Sequence, residues 1–178
     1  MKKSSSVKYY LSALAGLILL VLADQFTKLL AVRHLKNQES LVLVKGVFEL
    51  HYLENRGMAF GLLQNQRGFF VIATTLALLA AVYFYYIVPK TKRYFPIQIC
   101  IVFLTAGALG NFIDRILLGY VVDFFYFSLI DFPIFNVADI YVTVTFAVLV
   151  LLIFFYYKEE DLEVFTRKYR KEQRENEK

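Results

Sequence analysis

Four apolar runs dictate what this chain can fold into. They lie at roughly Tyr9–Val32, Phe69–Val88, Ile97–Leu118 and Phe135–Tyr157. Each is about long enough to cross a bilayer core, which takes ~20 residues at 1.5 Å rise per residue. Lipid offers no hydrogen-bond partners, so a spanning segment must be a helix or part of a closed barrel. The runs are continuous rather than alternating, which selects helices. Composition agrees: 58% of the 178 residues are hydrophobic, against the roughly 45–50% of soluble domains. The fold class expected is therefore membrane all-α, with four transmembrane helices in one domain over 1–158 and a charged tail over 159–178.

The basic residues orient the spans, because Lys and Arg are retained on the cytoplasmic side. Lys2, Lys3 and Lys8 precede span one, and Lys90, Lys92 and Arg93 fill the short second loop (Pro89–Pro96). Seven more lie in the tail from Lys158 to Lys178, whereas the third loop (Gly119–Ile134) has none. Loop one is less clean, with Arg33, Lys36, Lys45, Arg56 and Arg67. The balance puts both termini in the cytoplasm and loops one and three outside. The net charge of +5 sits at the chain ends, so it speaks of topology and not of a nucleic-acid partner.

Lys2, Lys3 and Val21-Leu22-Ala23 also resemble a cleavable secretory signal. The apolar run continues through Leu29, Leu30 and Val32, which favours a retained span. The single Cys100 allows no intrachain disulfide and reads as a small buried side chain. In loop one, Phe48, Leu50 and Tyr52 alternate with Glu49 and His51, the period-2 signature of a half-buried strand. Val42–Leu53 is expected as a small extracytoplasmic β-cradle, followed by a turn at Asn55-Arg56-Gly57 and an interfacial segment at Gly61–Gly68. The tail Glu159–Lys178 mixes both charge signs and reads as a solvated helix acting as an orientation anchor.

Ionisable residues inside spans are costly and usually functional. Here they are Asp24 and Lys28 in span one, Asp114 and Arg115 in span three, and Asp139 in span four, with Asp123 just beyond span three. The topology brings all of them to the outer side, together with Asn55, Asn111 and Asn136. Asp24 and Lys28 share a helix face, as do Asn111 and Arg115 and, at i,i+3, Asn136 and Asp139. Asp114 and Arg115 are adjacent, so at least one must turn to a neighbouring element. Gly107 and Gly110 leave room for close helix approach.

The chemistry on offer is narrow. His34 and His51 are far apart in loop one, and no His/Cys/carboxylate metal spacing is present. Ser128 is the only outer-side serine after loop one, and no glycine-rich phosphate loop follows a strand. Carboxylates remain, surrounded by amides and cations. Two carboxylates sharing one proton can activate water by general base and general acid action. A proton relay or small ion-coupled transporter is the alternative. It would need polar residues reaching both membrane faces, and the inner halves of these spans are apolar.

Five boxes in fixed order resemble those of the bacterial lipoprotein signal peptidases (signal peptidase II). Asp24-Gln25-Phe26-Thr27-Lys28 is similar to D-Q-x-[ST]-K, and Asn55-Arg56-Gly57-Met58-Ala59-Phe60 to N-x-G-x-A-F. Ala106-Gly107-Ala108-Leu109-Gly110-Asn111-Phe112-Ile113-Asp114-Arg115 is similar to G-G-A-x-G-N-x-x-D-R. Val121-Val122-Asp123-Phe124 and Phe135-Asn136-Val137-Ala138-Asp139 match V-V-D-F and F-N-x-A-D. The resemblance covers nearly all of the chain between the two tails. It implies that Asp123 and Asp139 form a catalytic dyad. It implies that Asn55, Gly57, Asn111, Arg115 and Asn136 bind substrate or hold the dyad, and that Asp24, Lys28 and Asp114 brace the site. Asp24–Lys28 reads equally as an ion pair that merely makes a helix end tolerable. The implied substrate is a diacylglyceryl-modified prolipoprotein, cut just before its lipidated cysteine, with membrane lipids as surroundings and neither metal nor organic cofactor. Ala106 departs from the usual first glycine of its box, and Thr145 stands where glycine is common; both bear on packing rather than on the reaction.

Overall fold

The computed structural model describes residues 2–57 and 66–165. Four long helices dominate: α1 (Lys2–Leu35), α2 (Arg67–Ile87), α3 (Phe95–Leu117) and α4 (Val137–Leu151), the last continued by a π-helical turn at Leu152–Tyr156. Each contains a stretch long and apolar enough to cross a membrane: Val7–Leu35, Arg67–Ile87, Phe95–Leu117 and Val137–Tyr156. The expected span limits shift by a few residues, most at α1, where the helix runs beyond the apolar run at both ends.

Helix α3 is the hub and packs against the other three. A third of its most apolar window is buried, against 6–17% for the others. The rest of the helical surface presents large apolar side chains outward, among them Leu19, Val82, Phe154 and Phe155, each at least 65% exposed. Such surface belongs in lipid. Close approach at α3 depends on glycine. A Cβ on Gly107 would stand 2.5 Å from the Ala138 carbonyl oxygen and 2.7 Å from Val142, and one on Gly110 would collide with the Asp24 carboxylate. Ala106 and Thr145, the two departures from the family boxes, are both buried.

The helix ends are set locally. Pro96 sits in the first turn of α3, where its missing N–H costs nothing. Gly119, at φ 85°, takes the left-handed conformation that ends it, with its N–H and that of Leu118 donating to the Asp114 carbonyl. Asn136 caps α4 in a reciprocal capping box with Asp139.

The small sheet corrects one expectation. It is not built by the first loop alone. Strands β1 (Leu41–Val44) and β2 (Phe48–Asn55) form a hairpin turning at Gly46, and the third strand, β3 (Val121–Tyr126), comes from the third loop. β3 pairs antiparallel with β2, with Leu53 opposite Asp123 and Asn55 opposite Val121. Val121 to Phe124 are all buried, so both faces of this strand are covered and no alternation marks it. Its β-branched and aromatic residues suit a strand nonetheless. Ala31 and Leu35 of α1 pack with Val122 and Phe124 and fasten the sheet to one end of the bundle.

At the opposite end, Val88, Ile97, Ile101 and Tyr157 form a second core. The tail begins there with a short helix, α5 (Glu159–Leu162). It is not simply solvated. Asp161 pairs with Arg93 at 2.7 Å and accepts from Tyr94 through its carbonyl, while Leu162 and Phe165 pack onto the core. Residues 166–178, the bulk of the expected tail helix, lie outside the described residues.

Candidate active site

Four elements supply the polar cluster at the sheet end. Asp123 projects from β3, Asp139 from the first turn of α4 and Asn111 from α3; Asn55 adds itself from the end of β2. Asn136 is the hinge of the arrangement. Its Nδ2 donates to Asp123 Oδ1 at 2.6 Å and to Asn111 Oδ1 at 3.0 Å, with the Val122 carbonyl at 3.3 Å sharing the same two hydrogens. Its backbone N–H donates to Asp139 Oδ2 at 3.1 Å. The remaining oxygens are engaged in turn: Asn55 Nδ2 donates to Asp123 Oδ2 at 2.8 Å, and Asn111 Nδ2 to Asp139 Oδ1 at 2.8 Å. Asp123 and Asp139 thus hang in one continuous network, although they come from different secondary structures.

Behind them sits a buried ionic layer. Lys28 lies 2.9 Å from Asp24 and 3.1 Å from Asp114, and donates to Asn111 Oδ1 at 2.8 Å, so three acceptors meet its three N–H bonds. Asp24 also accepts the backbone N–H of Ala138 at 2.9 Å, and Asp114 that of Val122 at 3.1 Å. One cation and two carboxylates thereby tie α1 to α3, to α4 and to β3. Asp24–Lys28 is an i,i+4 pair, as expected, but its partners cross the fold. Asp114 turns to this layer, and Arg115, its neighbour, turns the other way.

Arg115 rests over the Phe70 ring, 4.7 Å from its centroid, with a long 3.4 Å contact to the Gly57 carbonyl. It pairs with no carboxylate among the described residues. Gly57 is itself held by its N–H donating to Asn55 Oδ1 at 2.9 Å. Asn55, Gly57, Asn111, Arg115, Asp123 and Asp139 all line one cavity of about 470 Å³. Phe132–Phe135 form its aromatic wall, and Ile140, Thr143 and Val144 lead from it to the outward face of α4. Burial, reinforced by the nearby Asp139 charge, pushes the Asp123 carboxyl up to about 7, against the pull of its amide donors.

All ten residues singled out in the sequence fall in this region, six on the cavity wall, Asn136 beside them and the ionic layer behind. The Met58-Ala59-Phe60 part of the second box and most of the Gly61–Gly68 segment lie outside the described residues; Arg67 and Gly68 open α2. Gln25, outside the ten, also joins the ionic layer: its Nε2 donates to the Gly110 carbonyl at 3.1 Å and to Asp114 at 3.0 Å. Its presence between two polar members of the first box was the available signal. The Phe132–Phe135 wall carried none; pairing of Phe135 with Phe125 brings it onto the cavity. Among the described residues no His/Cys/Asp/Glu group could hold a metal ion.

The family model for signal peptidase (SPase) II matches residues 16–155. The lipoprotein signal peptidase of Streptococcus thermophilus (strain CNRZ 1066) is 41% identical over 146 residues, covering 82% of this chain and 92% of its own. That of Streptococcus pyogenes serotype M5 (strain Manfredo) is 41% identical over 146 residues, covering 82% and 93%. A bacterial membrane enzyme solved by the in meso method at 2.3 Å superposes with a TM-score of 0.69 at 32% identity, over 83% of this chain and 92% of the other. A second, solved at 1.9 Å, gives 0.69 at 33% identity, over 82% and 94%.

Proposed function

The chain belongs to the signal peptidase II family, and on that premise we propose that Asp123 and Asp139 are the dyad of an aspartic endopeptidase. It removes the signal peptide from prolipoproteins that carry diacylglyceryl on a cysteine, cutting just before that cysteine. The observation that carries this reading is the meeting of two carboxylates, from β3 and from the start of α4, on one cavity wall through Asn136.

The chemistry follows from one shared proton. Asp123, poised near neutrality, holds it, and Asp139 in its ionised form takes a proton from water as the water oxygen bonds to the scissile carbonyl carbon. The resulting tetrahedral centre collapses as Asp123 gives its proton to the amide nitrogen and the C–N bond breaks, which leaves the proton taken from water on Asp139. Arg115, free of carboxylate partners among the described residues, is the group that meets substrate backbone or carbonyl oxygen, with Asn55 and Asn111 beside it. Asp24, Lys28 and Asp114 hold α1, α3, α4 and β3 at the spacing the dyad needs.

Both termini are cytoplasmic and the sheet lies on the outer side, as the basic loops require. The scissile bond then sits at the outer boundary of the bilayer. The cavity opens along Ile140 and Val144 toward the apolar face of α4, so acyl chains stay in lipid while the peptide enters. Residues 1–158 are the working unit, and 159–178 anchor its orientation.

A synthetic prolipoprotein with and without diacylglyceryl tests the reading, with wild type, Asp123→Asn and Asp139→Asn in detergent or liposomes. Cleavage of the lipidated peptide alone, lost in both variants while they stay folded, is the expected result. Full activity in either variant overturns the dyad.

A further inference from the structure

A second groove of about 530 Å³ runs between α1 and α3 at the end away from the carboxylates. Lys8 precedes Asp24 by about 24 Å of helix, and Gln98 precedes Asn111 by about 20 Å. The walls are apolar, with Gly16, Leu20, Val102 and Phe103 among them. The helices pack less tightly here: a Cβ added on Gly16 would meet Val102 Cγ1 in ordinary contact at 3.8 Å, in contrast to the collisions at Gly107 and Gly110.

Two polar features in this groove have unmet bonding capacity. Gln98 lies in the wall at 2% exposure. Its Nε2 is spent on the Pro89 carbonyl at 2.7 Å, and its Oε1 has no hydrogen-bond partner among the described residues. A buried acceptor left so is costly and calls for a donor. Lys8 stands exposed at the groove and forms no ion pair among the described residues. A cation, a lone acceptor and an apolar channel together describe one ligand class.

We infer that this groove binds one anionic glycerophospholipid whose headgroup carries a hydroxyl, as phosphatidylglycerol does. The phosphate meets Lys8, a headgroup hydroxyl donates to Gln98 Oε1, and an acyl chain fills the channel beside Gly16. A choline headgroup has no donor for Gln98, and an ethanolamine headgroup has no net charge for Lys8. The few polar groups in an otherwise apolar groove fix which headgroup is held.

The full chain in detergent, stripped of lipid, is titrated with phosphatidylglycerol, phosphatidylethanolamine and phosphatidylcholine and followed by native mass spectrometry. Phosphatidylglycerol is expected to half-saturate at about a tenfold lower concentration than phosphatidylcholine, the difference that one hydrogen bond to an otherwise unpaired buried acceptor makes. Lys8→Gln and Gln98→Leu each weaken it by about tenfold. Gly16→Leu fills the channel without touching Gln98 and abolishes retention at an unchanged Tm, so the test survives a misfolded Gln98 variant. Lys92→Gln, at an exposed lysine outside the groove, leaves binding as in wild type. Equal retention of all three lipids, wild-type binding by Gly16→Leu, or a Lys92→Gln loss matching that of Lys8→Gln overturns the site.

Discussion

Asn136 is hydrogen-bonded to Asp123 through its side chain, Nδ2 to Oδ1 at 2.6 Å, while its own Oδ1 accepts the Asp139 N–H at 3.0 Å. One side chain therefore spaces the carboxylates and caps α4. Serine separates the two roles, because its hydroxyl caps a helix nearly as well as asparagine but is too short to donate across to Asp123. Asn136→Ser should keep its Tm within a few degrees and lose kcat by ~10²-fold, the scale on which catalytic groups misplaced by about an ångström lose rate. KM for the lipidated peptide should barely move. Steady-state kinetics beside thermal unfolding in detergent reads both, and an undiminished kcat removes Asn136 from the positioning of the dyad.

The Asp123 carboxyl, raised to about 7 by burial and the Asp139 charge, should leave its mark on pH dependence in two ways. Its protonated form is populated below about pH 7, so kcat/KM should decline as pH rises through that value and the acid is lost. The same shift also acts on stability. The folded carboxyl binds its proton more tightly than the unfolded one, whose ordinary value is 3.8, so this group's contribution is fully present below about 3.8 and fades as pH rises toward 7. Asp123→Asn cannot ionise, so its Tm should gain on wild type between pH 5 and pH 8. A constant difference across that range places the Asp123 titration elsewhere.

The helices and the carboxylate cluster were legible in the sequence because lipid imposes a length and a polarity rule on every span. Asp24, Asp114 and Asp139 stood out as charges inside apolar runs. β3 was not legible, since Val121, Val122 and Phe124 are buried with Asp123 on both faces of the strand and show no period of two. Without β3, the sheet looked like a property of the first loop. Spacing alone places Asn136 on the helix beside Asp139, whereas the cap lies one step outside α4 and has extended backbone. That single step aims its side chain across at Asp123. The docking of Asp161 on Arg93 was hidden for another reason: a mixed-charge segment gives no sign of which partner outside it will pair.

Lys28 offers a test of the ionic layer that separates bracing from chemistry. It is 3% exposed and lies between Asp24, which is fully buried, and Asp114. Lys28→Met keeps much of the side-chain volume but leaves two buried carboxylates facing one another without a cation, a loss of ~3–5 kcal/mol for breaking a buried pair. Gly110 sharpens the cost, because the Asp24 carboxylate fills the space where a Cβ would stand and has no room to swing away. The triple variant Lys28→Met, Asp24→Asn, Asp114→Asn removes the stranded charges and should recover most of the lost Tm. Activity should not follow. Asn111 loses the Lys28 donor at 2.8 Å in both variants, and its hold on Asp139 loosens with it, so the recovered protein should still turn over more slowly than wild type. Thermal unfolding paired with cleavage of the lipidated peptide decides the matter. If the triple variant regains full activity with its Tm, Lys28 serves only the packing of α1; if Tm returns and turnover does not, the layer also positions the dyad.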